Sequence, residues 1–507
     1  MPRSSDADVR RLAFECAWGV SLGMTVEELV ASTGRSRPTI YRALEHARLL
    51  EWLDDRPRLT IPPGPERDEY EATVADRYSA TEVAAAIGGG RPREVIVAPA
   101  PPQTPDESTA AAVCTALRAC PLHRELWKSA MDPTWERHVD ELAAQVIQTL
   151  QSTAQQTGDP ELCAAARQSP DRIRMTVAKY ANDPYTERDL QRSQRVGRAA
   201  ADLFCRALEE DRVRCVGLSW GHHVHDFVAA VSLEFPAYIH VAGADSVARQ
   251  AAQRLLVFPL IGSLGLPPVL DHREYGTQRG AIANASALAR QIGAPQPIHL
   301  TQPVHIPRDF ETADLRRIWE YVQQDASIRQ CLGERVADRY VDDDGVGRPD
   351  FAETQCPAPD SSGYIHRADT LITGLGTCDG DSRATRLGLY DDEDVPRLVQ
   401  AGAVGDISGR LFWDPTDPPD EDGKRAIRFV NSYVISPQLG DFIAANDRAR
   451  ASQTGLGTVV VASGPARARA VRALCSWGAV TTLVIDSDLA RALRALREPA
   501  AGPRGTG

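Results

Sequence analysis

The pattern of apolar and polar positions over the first fifty residues predicts three short helices. Residues 8–23 place apolar side chains at every third or fourth position, which is the spacing of one helix face. A second helix is predicted to open with a capping box at Thr25 and to stop at Gly34. A third helix follows at once, with Ser36 as its N-cap.

A helix, a short turn with glycine and a further helix form the helix-turn-helix arrangement, in which the later helix enters the major groove of DNA. In the third helix, Ile40, Leu44 and Ala47 are expected to face the other two. Residues 35–48 hold four arginines against one glutamate, a local excess of positive charge. Arginine and hydroxyl side chains bind base edges and phosphates. We therefore predict DNA contacts from Arg35, Ser36, Arg37, Thr39, Tyr41 and Arg42.

This module is assigned to residues 1–62, with residues 51–62 forming a short β-wing. The alternative is an ordinary bundle of three helices whose arginine-rich face is merely solvated. Prolines and a glycine end the module, and residues 63–90 are expected to form a charged linker.

Beyond residue 91, six apolar runs rich in β-branched residues alternate with helical stretches. Such runs suit strands that are buried on both faces, and their alternation with helices implies a parallel, doubly wound α/β sheet. We assign this domain to residues 91–500, with an inserted helical subdomain at residues 101–192 and a disordered tail at residues 501–507. The six runs begin at Glu94, Arg214, Leu255, Thr370, Thr458 and Thr481.

Small and polar residues gather directly after four of these predicted strands. In a parallel sheet, ligands bind at the loops beyond the carboxyl ends of the strands. Glycine lets the backbone approach a ligand, and the N–H groups of a helix N-terminus favour an anion such as phosphate. The sequence thus predicts a site for a small anion. The four loops are residues 219–225, 261–266, 373–379 and 463–467.

Two further patterns suggest metal binding, but each has a plainer interpretation. His222, His223 and His225 lie too close together on one loop for all to face one ion, so phosphate donors are favoured over metal ligands. Residues 341–347 resemble part of a calcium loop but lack the closing glutamate, which favours a solvated turn. We therefore predict neither a metal nor a cofactor.

Composition narrows the class of protein. The chain has 507 residues with a formal net charge of −12, which disfavours a protein that coats nucleic acid over its whole surface but allows a local DNA-binding module. No apolar run approaches the length of a membrane span, and the start has no apolar signal core, so a cytoplasmic protein is expected. Ten scattered cysteines are expected to be reduced thiols.

Several motifs, in order along the chain, resemble the SorC/DeoR-type sugar-binding transcriptional regulators. The clearest is Ala401–Phe412 (AGAVGDISGRLF), which is similar to the family pattern A-G-A-V-G-D-I-x-G-x-x-F. The further matches are Val216–Gly221 (VGLSWG), Thr373–Thr377 (TGLGT), Val484–Leu493 (VIDSDLARAL) and the predicted helix-turn-helix at residues 25–48.

The resemblance implies an N-terminal DNA-binding domain joined to an effector domain of the NagB/ribose-phosphate-isomerase/CoA-transferase-like fold, assembled as a homodimer or homotetramer. It also implies operator DNA and a sugar or sugar phosphate as partners. Histidines follow the W-G pair where the family often has serine or threonine. By position, the implied effector-binding residues are Ser219, Gly221, His222, His223, Gly262, Gly374, Gly376, Thr377, Asp406 and Arg467.

The interpretation that follows is a regulator without catalytic residues, whose binding to operator DNA is modulated by a small effector. An alternative is a sugar-phosphate enzyme on the same fold, with Asp406 as a base and a histidine as an acid. A second alternative is a partner-binding assembly protein that docks through the helical insertion.

Overall fold

The fold is described from a computed structural model. The described residues are 12–13, 16–17, 20, 26–33, 35–49, 83, 92, 94–98, 105–122, 138–180, 186–242, 247–262, 280–297, 300, 312–333, 363–378 and 394–496. Several features predicted from the sequence lie outside the described residues. They are the wing, Thr25, Gly34, residues 341–347, residues 501–507 and nearly all of the linker.

Helices form most of the secondary structure of the described residues. In chain order they are α1 (Val26–Thr33), α2 (Arg37–Leu49), α3 (Pro105–Ala119), α4 (Val139–Thr157), α5 (Pro160–Ala166), α6 (Pro170–Tyr180), α7 (Glu187–Glu209), α8 (His222–Ala242), α9 (Val247–Arg254), α10 (Ala281–Ile292), α11 (Thr312–Val322), α12 (Ala326–Leu332), α13 (Asp394–Gln400), α14 (Glu421–Asn431), α15 (Leu439–Ser452), α16 (Ala468–Ser476) and α17 (Ser487–Ala495).

The described residues include nine strands, which form two sheets. The strands are β1 (Glu94–Ala98), β2 (Cys215–Leu218), β3 (Leu256–Pro259), β4 (Thr370–Thr373), β5 (Gly376–Thr377), β6 (Ala403–Ile407), β7 (Arg410–Trp413), β8 (Gly457–Ala462) and β9 (Thr482–Asp486).

The larger sheet has six strands in the order β1-β9-β8-β4-β2-β3, and every neighbouring pair is parallel. Each of the six predicted apolar runs contributes one strand, so the predicted parallel α/β architecture is confirmed. Residues alternate along each strand between two separate cores. One core packs against α7 to α10, and the other packs against α11, α12 and α15 to α17. The sheet is therefore the middle layer of three.

The smaller sheet is antiparallel, with the order β5-β6-β7. Strands β6 and β7 form a hairpin closed by Ser408 and Gly409, whose φ angles are 51° and 81°. Positive φ at both central residues gives a turn whose twist matches that of the strands. Arg410 is buried and donates hydrogen bonds to three backbone oxygens between residues 431 and 436, which fixes β7 to the segment after α14.

Helices α3 to α6 share an apolar core of their own, built from residues such as Val113, Val146 and Ile173. This is the helical region expected within residues 101–192. Residue 192 itself lies inside α7, which runs on to Glu209 and is buried against the large sheet. A capping box at Thr186 fixes the start of that helix.

Near the N-terminus, α1 and α2 pack together around Leu29, Ile40, Leu44 and Ala47, the last three being the positions that the pattern placed on the inner face. Ala13, Cys16 and Ala17 of the first predicted helix are buried in the same cluster.

Over the part of the chain that the structure describes, no helix combines the length and the apolar character that crossing a membrane requires.

Candidate functional site

Strands β8, β4 and β2 are neighbours in the large sheet, so their carboxyl ends lie side by side along one edge. The loops that follow them begin at Ser463, Gly374 and Ser219. The small sheet joins this edge, because Trp220 and Ile261 of the loops share an apolar cluster with its strand β7 and with α13 and α14. The predicted loops therefore converge, and buried polar side chains gather where the two sheets meet.

Hydroxyl groups from three chain segments meet at this junction of the two sheets. Ser219 Oγ and Ser408 Oγ are 2.9 Å apart, and Thr373 Oγ1 lies 3.5 Å from Ser408 Oγ. All three residues are buried. The positive φ of Ser408 in the hairpin turn thus places its hydroxyl against the β2 and β4 loops.

Asn284, in the first turn of α10, reaches the same group of residues. Its Nδ2 donates a hydrogen bond to the carbonyl oxygen of Ser219, at 3.1 Å. The residue is 1% exposed, and its Oδ1 is buried with no hydrogen-bond partner. Buried acceptors are nearly always paired in folded proteins. Asn284 Oδ1 is therefore a buried acceptor for which the described residues supply no donor.

His223 joins the β2 loop to the β8 loop, and Arg467 joins the β8 loop to the β4 loop. His223 Nε2 lies 2.8 Å from Ser463 Oγ. Arg467 donates through Nε to the carbonyl oxygen of Leu375 and through Nη1 to that of Ser463. Burial, with a smaller contribution from the Arg467 charge, lowers the pKa of His223 well below its usual 6.5, because both oppose a second positive charge. His223 is therefore a neutral ring in the folded protein near pH 7.

Asp406 lies on β6, buried, with its Oδ2 accepting a hydrogen bond from the Gly409 N–H at 3.1 Å. Gly376 faces it on β5, and a Cβ at Gly376 would lie 2.8 Å from Asp406 Cγ. The glycine thus leaves room for the carboxylate in the small sheet. Thr377 continues β5 and is partly exposed.

The remaining predicted effector residues lie on the same edge. Gly221, with φ 106°, precedes α8 and has open space where a Cβ would stand. His222 is partly exposed in the first turn of α8. Gly374 follows β4, and Gly262 lies just beyond β3. Sequence reasoning missed Asn284 and Ser408; the family motif at 401–412 covered Ser408 but assigned it no role.

A network of charged side chains lies behind the β8 loop. Asp486, at the end of β9, accepts hydrogen bonds from the backbone N–H of Gly464 at 3.1 Å and of Leu489 at 3.0 Å. Arg192 of α7 lies 3.2 Å from its other oxygen and also binds Asp488. Burial raises the pKa of Asp486 more than these partners lower it.

Helix α7 also meets the N-terminal helices. Arg195, one turn beyond Arg192, forms an ion pair with Glu28 of α1, and both side chains are largely buried. The same helix therefore contacts both α1 and the strand end that supports the β8 loop.

The basic face of α2 is exposed. Arg35, Ser36, Arg37, Tyr41 and Arg42 are exposed and Thr39 is partly so. Ser36 Oγ and Thr39 Oγ1 are 2.9 Å apart at the start of the helix. The Arg37 guanidinium lies over the Tyr41 ring and forms an exposed ion pair with Glu27 at 2.8 Å. All six predicted DNA-contacting residues thus lie at or near one end of one helix.

Residues 359–494 match the family model described as "Putative sugar-binding domain". No curated protein matches the sequence. Among solved structures, a DeoR family transcriptional regulator from Listeria monocytogenes has 16% identity and a TM-score of 0.39, over 61% of this chain and 90% of that chain.

A probable sor operon regulator from Shigella flexneri has 14% identity and a TM-score of 0.40, over 61% of this chain and 90% of that chain. The full-length sorbitol operon regulator SorC from Klebsiella pneumoniae has 13% identity and a TM-score of 0.42, over 96% of this chain and 100% of that chain. The match of residues 359–494 to this family model agrees with the sugar-binding domain that the sequence motifs lead us to expect over this region.

Proposed function

We propose that this chain is a DNA-binding transcriptional regulator whose binding to operator DNA is modulated by a sugar or sugar phosphate. The observation that carries the proposal is the sugar-binding domain match over residues 359–494, which contains Asp406, Arg467 and the loops after β4 and β8 at the polar edge of the sheet. An effector bound at this edge would contact both sheets at once.

The exposed basic end of α2 supports the DNA-binding half of the proposal. Arg35, Arg37 and Arg42 are exposed where they can reach phosphates or guanine edges, with Ser36, Thr39 and Tyr41 beside them. Helices α1 and α2 would then act as a helix-turn-helix, with α2 as the recognition helix. We also propose the NagB/ribose-phosphate-isomerase/CoA-transferase-like subfold for the effector domain, a homodimer or homotetramer that reads paired half-sites, and a cytoplasmic location.

The test is an electrophoretic mobility shift of the full chain on the DNA upstream of its own gene, with and without free sugars and sugar phosphates. Arg42→Ala is expected to weaken binding to all sequences and to reduce the salt dependence of the affinity. Arg425→Ala, which removes an equally exposed arginine from α14, is the matched control. A protein that shifts no DNA from its own genome, or that turns over a sugar phosphate, would contradict the proposal.

A further inference from the structure

The loop from Ser219 to His223 holds two of the histidines that the sequence suggests as phosphate donors. It leads into α8, a helix of 21 residues that begins at His222. Such an N-terminus accepts an anion, but it accepts the oxygen of a hydroxyl group equally well. The side chains around the loop decide between the two.

We infer, on the basis of the proposed function, that this loop receives a hydroxyl group of an unphosphorylated sugar or polyol rather than a phosphate. The ligand class is therefore an uncharged polyhydroxy compound. Asn284, Ser219 and Ser408 are assigned as the residues that bind that hydroxyl group.

The strongest argument is the unpaired oxygen of Asn284. Its Nδ2 is already used on the Ser219 carbonyl oxygen, and its Oδ1 is buried without a partner, so the group that binds there must donate a hydrogen bond. A phosphate ester is largely a dianion at pH 7, and its oxygens then only accept. A sugar hydroxyl donates and accepts at once, and can bridge Asn284 to the serine hydroxyls.

The charges around the loop support the same assignment. Across the described loop residues 219–225, 261–262, 373–378 and 463–467, Arg467 is the one arginine or lysine. Its Nε and Nη1 already donate to backbone oxygens. His223 is buried, neutral and directed at Ser463, so it adds no positive charge. The buried carboxylate of Asp406 also favours ligand hydroxyl groups and disfavours a second anion nearby.

The experiment is isothermal titration calorimetry of the full chain with matched pairs: glucose and glucose 6-phosphate, fructose and fructose 6-phosphate, sorbitol and sorbitol 6-phosphate. We expect a free compound to bind at least about ten times more tightly than its phosphate ester. Inorganic phosphate at millimolar concentration is expected not to displace it. Binding of phosphate esters alone would overturn the inference and leave the regulator proposal standing, whereas binding of neither set would overturn both.

Variants at Asn284 test the assigned contact. Asn284→Ala is expected to weaken binding of the free compound by about tenfold, and Asn284→Asp, which keeps an acceptor oxygen, by less. The control is Asn446→Ala, because Asn446 is equally buried but its amide is fully used on Gly478, Thr458 and Thr481 at the other end of the strands. It should lower stability without changing the affinity. Equal losses of affinity in Asn284→Ala and Asn446→Ala would contradict the contact.

Discussion

A single glycine, Gly376, makes room for the carboxylate of Asp406 in the small sheet. A Cβ at this position would overlap Asp406 Oδ1, and both residues are held in register by the pairing of β5 with β6. We expect Gly376→Ala to displace Asp406 and to lower the free energy of unfolding by about 2 kcal/mol, as measured by urea denaturation. At Gly374 the nearest atom to a Cβ is the Trp220 oxygen at 3.7 Å, so Gly374→Ala should cost less than about 1 kcal/mol. Equal losses of unfolding free energy in the two variants would show that the close approach of Gly376 to Asp406 does not cause the destabilisation.

His223 makes stability depend on pH. Its pKa is lowered well below 6.5 in the folded protein, so below pH 6.5 the unfolded chain takes up a proton that the folded chain refuses. The free energy of unfolding should therefore be unaffected by this group above that pH and should fall by about 1.4 kcal/mol per pH unit below it.

The measurement is urea denaturation of the parent protein and of His223→Gln between pH 8 and pH 5. The variant keeps a side chain that can bind Ser463 but cannot gain a proton, so its stability should fall less steeply on acidification. Parallel curves for the two proteins would contradict a buried neutral histidine.

Among the helices, α7 carries a row of arginines whose contributions to stability differ with burial. Arg192 lies beside Asp486 and Asp488, and its side chain is only 11% exposed. Its removal leaves the fully buried Asp486 without its cation, so Arg192→Ala is expected to lower the free energy of unfolding by about 3 kcal/mol. Arg206 on the same helix forms an ion pair with Asp202 that is nearly half exposed, and Arg206→Ala should cost less than about 1 kcal/mol. Chemical denaturation of both variants measures the two losses of unfolding free energy and tests whether the loss in Arg192→Ala is the larger.

Among the strands and helices, some could be predicted from the sequence and others could not. Strands buried on both faces are continuous apolar runs, and all six were recognisable for that reason. The small sheet was not predicted, because β5 has two residues and the turn at Ser408 and Gly409 is marked by one glycine alone. Asn284 was missed for a different reason. Its position beside Ser219 depends on how α10 packs, and no local pattern in the sequence predicts that packing.

For the whole molecule, the buried pair of Arg195 with Glu28 is one contact between α7 and α1. One turn away, Arg192 binds Asp486, which in turn holds the N–H of Gly464 in the β8 loop. A change in the candidate site that moves this loop therefore acts on the helix that carries Arg195. Ligand-dependent DNA binding requires such a contact to differ in strength between the two states of the protein.

We expect Arg195→Gln to weaken this contact, because an uncharged amide replaces a charged partner of Glu28 in a largely buried position. The N-terminal helices should then be cleaved faster by trypsin, and the ratio of DNA affinities with and without sugar should move toward one. Arg198→Gln is the matched control, since it breaks a similar pair, at 3.0 Å, with Glu234 of α8 rather than with α1. The reversed pair Glu28→Arg with Arg195→Glu should restore both readouts if the charges themselves hold the helices. Unchanged cleavage in Arg195→Gln would show that this ion pair does not hold α1 to α7, and an unchanged affinity ratio would exclude the pair from the coupling.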